Sequence, residues 1–104
     1  VERATHYFNE NYNQNICIKD YAADRHMSDC WFNRTFKKVT KVTPIQYIIS
    51  LRITSAINLL ENTDHNIKQI ASMVGYDDEY YFSRLFKKQT GQSPTAYRKM
   101  LESK

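Results

Sequence analysis

Apolar residues recur along the chain at spacings of three and four, which is typical of amphipathic α-helices and not of strands. This spacing predicts three helices, over about residues 2–12, 18–25 and 29–40, followed by a longer one over about 44–61. Three more are predicted from 67 up to Gly75, from the Asp77–Asp78 pair to near Gly91, and from Pro94 onward. The sequence therefore predicts an all-α fold with seven helices.

The predicted helix boundaries carry strong local signals. Thr43, Pro44 and Gln46 fit an N-cap, a first helical position and a capping box. Asn66 with Gln69 resembles a second capping box, and Gly75 suits a left-handed helix end. The fourth helix would be about 27 Å long at 1.5 Å per residue. Its apolar stripe comprises Ile45, Ile48, Ile49, Ile53, Ala56, Ile57 and Leu60.

The chain contains an internal repeat. Residues 31–47 reappear as residues 81–97, fifty positions later, and the match continues upstream at an offset of forty-nine. The pairs are Phe32/Phe82, Arg34/Arg84, Phe36/Phe86, Lys37/Lys87, Lys38/Lys88, Thr40/Thr90, Pro44/Pro94 and Tyr47/Tyr97. Each copy reads as a short helix, a turn and a longer helix, which is the helix-turn-helix outline. Two lobes are predicted, at about 1–43 and 62–104, joined by the helix over about 44–61.

In each copy the helical spacing predicts one solvent-facing side, on which the residue types follow the same order along the helix. Arg34 lies two positions from both Phe32 and Phe36, about 200° around a helix, so it faces water while the phenylalanines face the core. The outer face of the first copy holds Cys30, Trp31, Arg34, Lys37 and Lys38. That of the second holds Tyr80, Tyr81, Arg84, Lys87 and Lys88. Arginine can read guanine and lysine can contact phosphate, so two such faces favour double-stranded DNA as partner.

Charge favours the same partner only weakly, because 15 basic against 11 acidic residues give a net charge of +4. Between residues 28 and 41 four basic residues face one acidic residue, a local net charge of +3. In the second copy Asp77, Asp78 and Glu79 offset the basic residues, so the two lobes are expected to bind unequally. A solvated basic face and a helical adaptor for another protein remain alternatives, and the adaptor would show little salt dependence.

The sequence gives little support for metal binding, catalysis or membrane insertion. Cys17 and Cys30 have no metal-ligand spacing with each other or with the scattered histidines, which favours a reduced chain without a cofactor. We see no nucleophile–base pair or phosphate loop and expect no enzyme. No stretch would cross a membrane. Because the chain begins at Val1, we expect a longer protein with an effector or receiver domain N-terminal to it.

The run from Ile67 to Arg98 closely resembles the signature of the AraC/XylS family of bacterial transcription regulators, and the resemblance extends to Pro44, Tyr47, Arg52 and Ala56. It implies two helix-turn-helix lobes whose third and sixth helices enter successive major grooves. It also implies a cytoplasmic protein that contacts RNA polymerase; activation and repression stay open. Carried over, the base-facing candidates are Cys30, Trp31, Asn33 and Arg34, and then Glu79, Tyr80, Tyr81, Ser83 and Arg84.

Several positions depart from the family pattern. Gly75 and Gly91 have His26 and Lys41 as counterparts, which are strained if the backbone there needs a positive φ. Cys17 stands where the family usually has Ser, so a poor cap is expected. The run from Asp77 to Glu79 suits a helix N-terminus, or Glu79 could accept a bond from cytosine. Trp31 and the two tyrosines could instead belong partly to the core.

Overall fold

The computed structural model describes residues 1–102, and within that range it contains seven α-helices and no strand. The all-α prediction is therefore confirmed, with predicted helix ends within a few residues of the observed ones. The helices are α1 (Glu2–Asn11), α2 (Ile18–Asp24), α3 (Asp29–Thr40), α4 (Pro44–Asn62), α5 (Ile67–Met73), α6 (Glu79–Thr90) and α7 (Pro94–Glu102).

The predicted caps form the expected hydrogen bonds. The amide of Gln46 donates to the Thr43 hydroxyl at 3.2 Å, and the Thr43 amide donates to the Gln46 side chain at 2.9 Å. Asn66 and Gln69 form the same reciprocal pair at the start of α5. Cys17 makes no side-chain cap bond at the start of α2, as expected of a weak sulfur acceptor. Local sequence therefore sets where these helices begin.

The chain divides into two compact units, residues 1–51 and a second that begins at Arg52. The first unit has an aromatic core in which Phe8 of α1 packs on Phe36 of α3, with ring centroids 5.7 Å apart. Tyr21 of α2 packs on Phe32 at 5.3 Å. The buried members of this core are Ala4, Phe8, Tyr21, Ala22, Phe32, Phe36 and Ile48. These contacts fix α3 through its inward face.

The second unit buries the corresponding inward face of α6. Phe82 and Phe86 are fully buried with ring centroids 5.9 Å apart, and Phe86 meets Tyr97 of α7 at 5.8 Å. The other buried hydrophobic residues of this unit are Ile53, Ala56, Leu60, Ile70, Ala71, Val74 and Tyr76. Helix α6 is thus held by its phenylalanines in the same way as α3.

The second half of α4 supplies to the second unit what α1 supplies to the first. The Tyr47 hydroxyl donates to the Asn9 side chain of α1 at 3.1 Å. The Tyr97 hydroxyl donates to the Glu61 carboxylate of α4 at 2.8 Å. Tyr47 and Tyr97 occupy equivalent positions in the two copies. The structural repeat therefore includes α1 and the second half of α4, although their sequences show little similarity.

One predicted core residue lies elsewhere. Ile45 was assigned to the apolar stripe of α4, but its side chain is 58 % exposed. Pro44, one residue earlier, is fully buried and takes the inward direction at the start of the helix. Ile48 is four residues after Pro44, so it returns to that direction and is buried. In residues 1–102 no helix has the length and apolar character needed to span a bilayer.

Candidate nucleic-acid interface

We call α3 and α6, the two helices predicted to carry a solvent-facing basic face, the outward helices. The turn that precedes each of them has the same hydrogen-bond pattern. The amide of Met27 donates to the Ala22 carbonyl at 2.9 Å, and that of Tyr76 donates to the Ala71 carbonyl at 2.8 Å. Bonds of this span close a Schellman motif around a left-handed residue. That residue is Gly75, with φ of +105°, in the second unit and His26, with φ of +58°, in the first. The helix-turn-helix outline is therefore built twice on one backbone plan.

Each outward helix then begins at a side-chain cap. The Ser28 hydroxyl accepts from the amide of Trp31 at 3.1 Å. The Asp78 carboxylate accepts from the amides of Tyr80 and Tyr81 at 2.9 and 3.3 Å. Of the two aspartates predicted as caps, Asp78 is therefore the one that caps α6. Its charge also complements the positive end of the helix dipole.

Most of the side chains assigned to base contact and phosphate contact are exposed in both units. Residues 31–40 and 81–90 follow the same order of buried, half-buried and exposed positions. Trp31 is 52 % exposed, Tyr80 71 % and Tyr81 47 %, so a large part of each side chain faces solvent. The other fully solvent-facing candidates are Cys30, Arg34, Lys37, Lys38, Arg84, Lys87 and Lys88. Each of these helices thus exposes at least one aromatic residue near its N-terminus, with Cys30 beside it in α3, an arginine in its middle and two lysines near its C-terminus.

Three candidates lie at the edge of these faces. Asn33, Glu79 and Ser83 are half-buried. The amide group of Asn33 donates to the Asp29 carbonyl of its own helix at 2.7 Å, so part of its bonding capacity is already in use. Glu79 lies in the first turn of α6, where a carboxylate is favourable whether or not DNA is bound.

A cation–ring contact occurs on the outward face of the second unit. The guanidinium carbon of Arg84 lies 6.0 Å from the ring centroid of Tyr81. Arginine over an aromatic face is attracted by the ring quadrupole, by about 0.5–1 kcal/mol at exposed sites. Both groups stay open to solvent on one side, so the pair can meet a base edge together.

The cysteines and acidic residues add no metal-binding group. Cys17 and Cys30 are free and exposed thiols. Among the described residues no three or more His, Cys, Asp or Glu side chains come together in a way that could hold a metal ion. Asp78 caps α6, whereas the neutral Ser28 caps α3. The two outward helices therefore differ in charge at their N-terminal caps.

A family model described as a helix-turn-helix domain matches residues 21–100. The chain belongs to the AraC-type helix-turn-helix family. It is a DNA-binding domain of a transcription regulator, as the resemblance carried by its second copy implied. The match covers both outward helices and the whole of α4, so both halves of the repeat belong to this AraC-type domain.

Known relatives of this AraC-type domain are longer regulators. The chain is 40 % identical over 92 residues to the MmsAB operon regulatory protein of Pseudomonas aeruginosa, covering 88 % of the chain and 30 % of the relative. It is 39 % identical to the HTH-type regulator YisR of Bacillus subtilis, covering 97 % of the chain and 35 % of YisR. The chain thus spans about a third of the length of these two relatives.

Solved structures share the fold. The C-terminal domain of AraT, a response regulator from Geobacillus stearothermophilus, superposes with a TM-score of 0.90 at 32 % identity, covering 95 % of this chain and 83 % of that solved domain. The DNA-binding domain of AdpA, solved in complex with a target DNA, has a TM-score of 0.90 at 27 % identity. That match covers 98 % of this chain and 92 % of the solved AdpA domain. The seven-helix arrangement is therefore that of AraC-type DNA-binding domains.

Proposed function

We propose that this domain binds double-stranded DNA in a sequence-specific way, with α3 and α6 each placed in one of two successive major grooves. The observation that carries the proposal is the repeated outward face. Two helices, each held by a buried phenylalanine pair, present an exposed arginine flanked by aromatic residues and lysines. A helix of this kind enters a major groove through its N-terminal half, and B-DNA repeats that groove every turn.

Within each exposed face, the arginine and the lysines have different proposed roles in DNA binding. Arg34 and Arg84 lie in the middle of their helices and can form two bonds to the O6 and N7 atoms of a guanine. The lysines follow one turn later, where phosphate contacts position the helix without reading sequence. The remaining proposed base-facing residues are Cys30, Trp31, Asn33, Glu79, Tyr80, Tyr81 and Ser83.

The proposed functional division of the chain follows the repeat. Residues of about 1–43 and about 62–104 act as the two DNA-reading lobes, and α4 connects them. Lys37 and Lys38 dock the first lobe, and Lys87 and Lys88 dock the second. Because the second lobe carries the acidic run at the start of α6, we expect the first lobe to contribute more of the electrostatic affinity.

The rest of the proposal concerns the full-length regulator. The chain spans 30–47 % of the first three relatives, which supports an additional effector or receiver domain N-terminal to this one. We further propose a cytoplasmic protein that acts on transcription together with RNA polymerase. We propose no enzymatic activity for this domain. One relative, AdaA of Bacillus subtilis, is named as both a transcriptional activator and a DNA repair enzyme.

Selection from randomised DNA with this domain tests the proposal. Two enriched sequence blocks about one helical turn apart, roughly 10 base pairs, are expected if both outward helices read bases. A single block would mean that one lobe reads and the other only contacts phosphates. Weak binding to all sequences without enrichment would contradict sequence-specific readout by this domain. Absence of salt-sensitive binding would favour the protein-adaptor alternative.

Alanine variants of the two arginines test the assigned roles. Arg34→Ala and Arg84→Ala are each expected to cost about 1–3 kcal/mol on the selected duplex and to relax preference at one base position. Binding to random DNA should change far less, because phosphate contacts remain. Equal losses on selected and random DNA would contradict base reading by these arginines.

A further inference from the structure

Two tyrosine rings lie between two arginine side chains in a row of contacts within the second unit. The guanidinium carbon of Arg52 in α4 lies 4.7 Å from the ring centroid of Tyr76. The Tyr76 ring meets the Tyr81 ring at 5.9 Å and 61°, in an edge-to-face arrangement. Arg84 in turn lies 6.0 Å from the Tyr81 centroid. We call these four residues the Arg–Tyr row.

The row passes from the core to the proposed DNA face. Tyr76 is only 8 % exposed and also packs on the fully buried Phe82, with centroids 5.9 Å apart. Tyr81 is 47 % exposed, and Arg84 is open to solvent. One end of the row is therefore fixed by core packing, while the other end is the arginine proposed to read a base.

Such a row changes what DNA binding requires of Arg84. A free arginine side chain loses rotamer freedom when it is fixed. An arginine that already rests on an oriented ring has less freedom to lose on binding. The Tyr81 ring must itself be held, and edge-to-face packing of two aromatic rings is a favourable contact that restricts the ring's orientation. Tyr76 is the residue that supplies this packing.

The first unit provides an internal comparison. Met27 occupies the position equivalent to Tyr76, so no ring is available there to orient the aromatic residue that follows. The first lobe instead has a local net charge of +3. In the second lobe the acidic run offsets the basic residues, and Arg84 lies near an aromatic ring that is itself packed on Tyr76.

We propose that Tyr76, backed by Arg52, is a positioning residue for base readout by the second lobe. It acts by orienting Tyr81, which orients Arg84. This inference rests on the proposed function, namely that Arg84 contacts a base. Its expected signature is a loss of discrimination between DNA sequences, with phosphate-based affinity retained.

The experiment compares two substitutions at one position. Tyr76→Met copies the residue of the first lobe and removes the ring, whereas Tyr76→Phe keeps the ring and removes a buried hydroxyl that has no hydrogen-bond partner. The measured quantity is the ratio of Kd for a duplex altered under the second lobe to Kd for the selected duplex. Tyr76→Met is expected to lower this ratio about three- to tenfold, from loss of the aromatic contacts. Tyr76→Phe is expected to leave it unchanged.

A core variant separates positioning from simple destabilisation. Ile70 is fully buried in the same unit and outside the row, so Ile70→Val should lower stability with no effect on the ratio. Circular dichroism at the assay temperature confirms that each variant is folded. A matching drop in the ratio for Ile70→Val would overturn the inference, as would an equal drop for Tyr76→Phe.

Arg84→Ala distinguishes failure of this inference from failure of the proposed function. If Arg84→Ala keeps full discrimination, Arg84 reads no base and both are wrong. If it loses discrimination while Tyr76→Met does not, only the positioning role is overturned. In the double variant, Tyr76→Met is expected to add no further loss beyond that of Arg84→Ala, because it acts through that arginine. Additive losses would overturn the inference.

Discussion

At the scale of single residues, the two repeats carry different residues at positions where the backbone is left-handed. Lys41 ends α3 with φ of +74°, and Gly91 ends α6 with φ of +89°. In both, the amide donates to the carbonyl four residues earlier, at 2.8 Å for Lys41 and 2.7 Å for Gly91. The backbone plan is kept although only one residue is suited to it. The condition under which His26 and Lys41 would be strained, a positive φ at each, is met.

Lys41→Gly is expected to stabilise the domain by about 1 kcal/mol, because glycine adopts a positive φ without the Cβ penalty. For a domain of this size that corresponds to a rise in Tm of about 4–8 °C. Gly91→Ala is the matched control. An added Cβ there would meet no atom within 4 Å, so any loss of stability would reflect backbone strain alone. An unchanged or lower Tm for Lys41→Gly would contradict the strained-turn account.

At the scale of helices, the residue that caps each outward helix also sets the charge at the N-terminal end of its exposed face. The cap at the start of α3 is the neutral Ser28, whereas α6 begins at the charged Asp78. Both caps satisfy amides of the first turn, so both stabilise the helix. They differ in the field that they place beside DNA, since a carboxylate repels phosphates and a hydroxyl does not.

Asp78→Ser transfers the cap of the first lobe to the second. Stability is expected to change little, because serine and aspartate are comparable caps, whereas Asp78→Ala should cost about 1 kcal/mol in urea unfolding. DNA binding by Asp78→Ser should tighten at low salt and converge with the wild type at high salt. Tightening that persists at high salt would show that the field of Asp78 is not the cause.

The hydrogen bond between α7 and α4 predicts an alkaline stability change. The bond to Glu61, partial burial and the nearby carboxylate charge raise the pKa of Tyr97 above its usual 10.0. The folded chain therefore holds this proton more tightly than the unfolded chain does. The free energy of unfolding should fall as pH rises from about 10 through the raised pKa.

Urea unfolding at about pH 9 and about pH 11 measures this change. Tyr97→Phe is expected to show a smaller loss of stability over that interval than the wild type. Glu61→Gln keeps an acceptor but removes the charge, so it should also reduce the loss. If both variants lose as much stability as the wild type, the alkaline change has another origin.

At the scale of the whole molecule, charge is distributed unevenly over a repeated fold. Residues 28–41, which include the first outward helix, have a net charge of +3, while the acidic run balances the basic residues of the second outward helix. Association with DNA releases counterions for each phosphate neutralised, so the salt dependence counts electrostatic contacts. The two lobes are therefore expected to contribute unequal numbers of such contacts.

If roughly six phosphates are contacted, the plot of log affinity against log salt should have a slope near −5. Lys88→Ala is expected to weaken binding to all sequences alike and to make the slope less steep by about 1. Lys38→Ala is the matched variant of the first lobe. A slope near zero for the wild type would contradict a phosphate-contacting mode.

The sequence by itself determined the number of helices, their caps and the direction of each outward face. These features depend on neighbours within about four residues, such as Asn66 with Gln69 or Arg34 with the phenylalanines on either side. Local backbone geometry fixes such relations, so periodicity and cap chemistry suffice to predict them. For the same reason the outward candidates were found on the faces assigned to them, although their contacts with bases remain a proposal.

Tertiary structure alone decided which residues from distant helices meet. The bond from Tyr97 to Glu61 joins residues 36 apart in sequence, and no periodicity pairs them. The contact of Arg52 with Tyr76, and the exposure of Ile45 despite its helical spacing, likewise depend on how helices pack. Packing selects among many faces that local sequence leaves equally possible, because burial is a property of the assembled core. The support beneath Arg84 was therefore visible only in the folded chain.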